Sequence, residues 1–189
     1  MKKILNTLLA FGMLAIASTA SAVPIVGSVA FGTNPGASWV PTGGTVATAT
    51  GVAFIGTTPA NDDEGVVTGA TGTFAGSEGT IADFMDFVFN PLTAGTQLWQ
   101  FDYAGNTFKL FMNASTIVAQ TSSIISLTGT GMLTGTSYTN TFGRWDLTLN
   151  ATGAAFSFSS GAAPEPGVVL LLGAGLVGIG VVRKFRKGA

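Results

Sequence analysis

The chain has no cysteine and no histidine, and only 9% of its residues are charged. Without cysteine there can be no disulfide, no thiolate metal site and no thiol redox chemistry, so the fold depends on packing alone. Without histidine neither a Ser-His-Asp nor a Cys-His arrangement can be assembled, and imidazole-bound zinc is excluded. Basic residues are scarce where they would matter. Between residues 23 and 163 there are two, Lys109 and Arg144, against eight acids: Asp62, Asp63, Glu64, Glu78, Asp83, Asp86, Asp102 and Asp146, a formal charge of −6. Phosphate binding needs clustered Lys and Arg to release counterions, so a nucleic-acid partner is excluded.

The apolar share, 47%, is concentrated at the two ends. Lys2 and Lys3 precede an apolar run over residues 4–17 that is too short to span a bilayer comfortably, and small residues follow it. This is the anatomy of a signal peptide over residues 1–22; Ala20 and Ala22 supply the small side chains that signal peptidase accepts, placing cleavage before Val23. Residues 167–182 carry no polar side chain and end against Arg183, Lys184, Arg186 and Lys187. As a helix this run is roughly 24 Å long, short of a 30 Å hydrocarbon core, and snorkelling Arg and Lys can absorb the difference. The expectation is one C-terminal transmembrane helix over 167–182 with a basic membrane stop over 183–187. Positive charge stays cytoplasmic at both ends, so everything between is exported across the inner membrane.

Residues 23–161 are rich in Gly, Thr, Ser and Ala, which punctuate short apolar or alternating runs. Candidate strands cover 25–31, 45–55, 66–74, 81–89, 96–101, 108–113, 115–121, 124–133, 145–150 and 155–159. Trp145, Leu147 and Leu149 alternate with Asp146, Thr148 and Asn150, as in a strand with one buried face. The run 81–89 also fits helical spacing, with Asp83 as a cap; its Phe and Val content and the Asn90-Pro91 stop favour a strand. Residues 35–51 and 160–164 are loop-like in composition. The fold class expected is all-β, a single β-sandwich of jelly-roll-like or similar type, with no repeat of fixed period.

Three groups of residues invite a functional reading. Asp62, Asp63 and Glu64 gather hard oxygen ligands in a turn, making them calcium candidates, although Asn, Asp and Gly suit a hairpin tip equally and the spacing is not that of an EF-hand. Glu78, Asp83, Asp86 and Asp102 are the stock from which a glycosidase-type carboxylate pair would be drawn. Asp83 and Asp86 would share a face on a helix and point apart on a strand. Trp39, Trp99 and Trp145 would be the first rings of a carbohydrate-stacking platform; aromatic side chains in a Gly-rich β protein are otherwise its core. The residues favour a chain that is not an enzyme and needs no cofactor, calcium aside.

The tail has Pro164-Glu165-Pro166, then a Gly-rich apolar run, then Arg183-Lys184-Phe185-Arg186-Lys187. In that order it resembles the PEP-CTERM sorting signal of Gram-negative bacteria, over residues 162–189. The resemblance implies recognition by an exosortase, a membrane transpeptidase-like enzyme, with processing near 164–166 and transient anchoring before delivery to the cell surface or extracellular matrix. Proteins with such tails accompany exopolysaccharide production and biofilm formation. The region before it, with Thr128-Gly129-Thr130-Gly131-Met132-Leu133 and the Trp145 strand, resembles the Thr- and Gly-rich exported regions of this class. The expectation is a structural or adhesive envelope protein whose partners are signal peptidase, exosortase, the inner membrane and possible exopolysaccharide. The alternatives are a carbohydrate-binding module and a carboxylate-dependent glycan hydrolase.

Overall fold

The computed structural model describes residues 23–58, 62–150 and 153–160. The expected signal peptide, with Ala20 and Ala22, lies outside these residues. So do Pro164, Glu165, Pro166, the helix over 167–182, and Arg183, Lys184, Arg186 and Lys187. Among the described residues no helix is long and apolar enough to cross a membrane.

The described strands are β1 (Val23–Pro24), β2 (Gly27–Thr33), β3 (Ser38–Thr42), β4 (Gly51–Ile55), β5 (Gly65–Ala70), β6 (Ile81–Phe84), β7 (Phe87–Val88), β8 (Thr96–Tyr103), β9 (Asn106–Gln120), β10 (Ile124–Gly135), β11 (Tyr138–Thr139), β12 (Thr141–Asn150) and β13 (Gly153–Ser160), with a 3-10 turn over Gly72–Phe74. The protein is all-β, as the alternation and turn chemistry predict. Instead of the two separately edged sheets of a sandwich, one sheet curls until it closes, in the order β10-β12-β13-β2-β5-β6-β8-β9. Every ladder in it is antiparallel. Closure runs through β6, whose ladders to β5 and β8 have two residue pairs each. Closing the sheet removes the exposed edges that an open one would leave.

A second sheet, β3-β4-β7, packs its inner face on the same core. It accounts for two departures from the sequence reading. Residues 38–42, expected to be loop, form β3 because Trp39 has a core to enter and its indole N–H donates to the Asn150 carbonyl at 2.9 Å. The expected strand over 81–89 breaks at Met85-Asp86, so that β6 belongs to the barrel and β7 to the small sheet. Asp86 fixes the break: its Oδ1 accepts the Phe54 backbone N–H at 2.8 Å.

The barrel interior is filled with rings. Trp99 and Trp145 are fully buried. Phe31 lies 4.9 Å from Trp99 and 5.6 Å from Phe101 between ring centroids, and Phe74 lies 5.1 Å from Phe108. Each large apolar side chain fully buried contributes about 1.5–3 kcal/mol, so these rings replace the cross-links that the sequence lacks. The expected Trp145, Leu147 and Leu149 alternation is the inward face of β12. Its neighbour β10 carries glycine opposite Trp145, and the reason is steric. A Cβ on Gly129 would lie 2.6 Å from two Trp145 indole carbons, and one on Gly131 2.8 Å from the Leu110 side chain. The Thr-Gly-Thr-Gly pattern leaves the indole room to lie across β10, where its N–H donates to the Thr130 carbonyl at 3.1 Å.

Candidate functional site

The β4–β5 connection carries Asp62, Asp63 and Glu64, and their three side chains separate: Asp62 is exposed, whereas Asp63 and Glu64 are buried. Asp63 closes the turn: its Oδ1 accepts the backbone N–H groups of Thr57 at 2.6 Å and Thr58 at 3.3 Å, and its Oδ2 accepts the Thr57 hydroxyl. The Thr57 hydroxyl, more than these backbone donors, holds the Asp63 carboxyl below its ordinary pKa. Asp62 is exposed and accepts the Thr58 hydroxyl at 3.0 Å. Glu64 is only 1% exposed; its Oε2 accepts the Phe84 N–H at 3.0 Å, while its Oε1 is buried without a hydrogen-bond partner. Burial raises the Glu64 pKa, and the Phe84 N–H only partly offsets it. Among the described residues no group of three or more carboxylates is placed to hold a metal ion. Asp62 and Asp63 thus engage Thr57 and Thr58 within the turn, and Glu64 engages β6.

The carboxylates that meet come from separate parts of the sequence. A cleft of about 310 Å³ is lined by Asp62, Thr80, Ile81, Asp83, Gln100, Phe101 and Asp102. Asp83 and Gln100 are direct partners in the β6–β8 ladder, so both side chains leave the same face. The Gln100 amide donates to Asp83 Oδ2 at 2.7 Å, and Gln97 donates to Gln100 Oε1 at 3.2 Å. Burial raises the Asp83 pKa against the Gln100 bond, and Asp62 and Asp102 add to the rise. Asp102 accepts the Thr107 hydroxyl at 2.5 Å. Asp83 and Asp86 do not form a pair, because Asp86 serves β4; Glu78 lies exposed on the turn after Phe74.

A sugar-stacking surface needs exposed rings. Trp99 and Trp145 are 0% exposed and Phe101, on the cleft wall, is 3% exposed. Trp39 is half-buried against the core with its N–H engaged. The platform named from the sequence therefore lacks two of its three rings, and the exposed apolar group in the cleft is aliphatic, Ile81. Gln100 and Thr57 were missed in the sequence. Gln100 had a signal, since Gln100 and Asp102 alternate with Trp99 and Phe101 and so share the outward face of one strand.

The clearest functional signal lies beyond the barrel. Residues 162–187 match the family model of the PEP-CTERM protein-sorting motif. The chain carries that motif, as a PEP-CTERM domain-containing protein does, and the motif implies an exported chain recognised and processed by an exosortase. No curated protein and no solved structure matches the chain.

Proposed function

We propose that the protein is a noncatalytic component of the cell surface or extracellular matrix, exported behind a cleaved signal peptide, held briefly by its C-terminal helix and released from it by an exosortase. The observation that carries this reading is the sorting motif at 162–187, which follows the all-β domain directly in the sequence. Pro164 and Pro166 are residue types that disfavour helix and sheet, a composition suited to a motif that a processing enzyme must reach. The acidic, disulfide-free barrel supplies bulk and stiffness, and a structural or adhesive role beside exopolysaccharide follows from where such a tail would deliver it.

Burial of Trp99 and Trp145 supports the structural reading over a carbohydrate-binding module. The two stock carboxylates that share the cleft are each engaged, Asp83 by the Gln100 amide and Asp102 by the Thr107 hydroxyl, which supports it over a hydrolase. The test replaces Pro164, Glu165 and Pro166 together by alanine and follows the protein by cell fractionation. Loss from the surface and matrix, with accumulation of a longer chain in the inner membrane, is the expected result. Unchanged delivery would refute the reading.

A further inference from the structure

Although the main sheet closes, one strand outruns its neighbour. β9 is fifteen residues long and is laddered on β10 through Gln120, but β8 accompanies it only as far as Met112. From Asn113 onward, among the described residues, β9 is paired along one edge alone. This overhang is exposed on both faces: Thr116 is open to solvent, Ile117 is 39% exposed and Val118 is 63% exposed. Ile117 faces the same way as its partner Leu127, which is 1% exposed, so the core surface continues past the end of β8; the Gln120 amide closes the far end of the overhang by donating to the Val46 and Ala49 carbonyls, and among the described residues no strand pairs with the edge between.

Edge strands are normally blunted by charge, proline or bulges. The outer edge of the small sheet has Pro41 in β3, which offers no N–H. The β9 overhang has neither proline nor charge. Register shifts at Asn113 and Val118 bracket it, leaving Ala114–Ile117 as a regular four-residue run that ends in β-branched Thr116 and Ile117. Residues 110–143 contain no charged side chain at all, in a domain whose formal charge is −6. Two copies approaching by the cleft face would bring Asp62, Asp83 and Asp102 together, whereas approach by this edge sets uncharged residues against uncharged residues.

We propose that the β9 overhang is a self-association surface, on which a second copy of this chain adds its own overhang as an antiparallel strand across a two-fold axis. Main-chain pairing satisfies both edges, and each Ile117 is covered by the other copy. The contact is short, so it operates at the high local concentration of a surface layer. It does not depend on processing of the tail.

Because the chain has no cysteine, one introduced cysteine reports on this contact alone. The purified protein carrying Thr116→Cys is treated with a short bismaleimide, whose reach tolerates a one-residue difference in register. Phe142→Cys is the control; Phe142 is 61% exposed on the same sheet, two strands across and four residues, roughly 13 Å, further along. The expected result is covalent dimer forming at least tenfold faster from Thr116→Cys, with that advantage removed by adding Ile117→Lys. Equal rates from the two cysteines, or no effect of Ile117→Lys, would overturn the proposal.

Discussion

Gly129→Ala is the sharpest test of how the barrel wall is built, because the rule for an exposed strand and the geometry here give opposite signs. Where the backbone permits alanine, replacing glycine stabilises by about 0.4–1 kcal/mol through the unfolded chain. At Gly129 the new methyl would sit 2.0 Å from the Ala114 carbonyl oxygen and 2.6 Å from the Trp145 indole. One obstacle is backbone of the next strand and the other is a fully buried ring, so neither can swing aside. Forcing a methyl into such a site costs roughly 1–3 kcal/mol net. For a domain of this size that lowers Tm by about 4–12 °C. Thermal unfolding followed by circular dichroism reads the change, with Gly69→Ala as control, since a Cβ there meets nothing within 4 Å. Adding Trp145→Phe should recover part of the loss, a coupling of at least about 0.5 kcal/mol in a double-mutant cycle. If Gly129→Ala matches Gly69→Ala, the placement of Trp145 across β10 is refuted.

Other predictions follow from burial and charge. The Glu64 pKa is raised from 4.5, so between about pH 4.5 and its folded value the native state holds a proton that the unfolded state has lost, and stability falls as pH rises through that window. Asp83 acts in the same sense, while Asp63, lowered from 3.8, gives stability that is lost as pH falls through its folded value. Melting curves across pH should therefore peak in mild acid, and Glu64→Gln, which keeps an acceptor for the Phe84 N–H, should exceed the parent above the window and converge with it below; identical profiles would disprove the assignment. Quenching of tryptophan fluorescence by iodide should reach Trp39 alone, so that Trp39→Phe leaves emission insensitive to the quencher; quenching that persists would return Trp99 or Trp145 to a binding surface.

Much of the barrel could be read from local pattern, and what could not was set by partners far along the chain. Alternation around Trp145 predicted its buried face, and ten short runs predicted an all-β domain. β9 read as two strands, 108–113 and 115–121, yet in the ladder Asn113 is a bulged residue and Ala114 pairs with Thr130 within one strand. β3 read as loop because four of its five residues, Ser38, Val40, Pro41 and Thr42, carry little apolar signal beyond one valine, and Trp39 became structural only through Asn150, more than a hundred residues away. Closure itself rests on ladders of two residue pairs on either side of β6, too short to leave a periodicity. For the same reason the cleft was invisible: Asp62 was grouped with its sequence neighbours, while the β6–β8 register sets Asp83 beside Gln100 and near Asp102. The sorting motif was legible because its signal is composition and order rather than tertiary contact.

The most direct measurement of the account is the intact mass and C-terminal peptide map of the protein recovered from its host's envelope and extracellular matrix. A chain beginning at Val23 and ending near residues 164–166 is the predicted result. A chain that still carries Arg183, Lys184, Arg186 and Lys187 at its final location would contradict exosortase release, and the surface-delivery reading would fall with it.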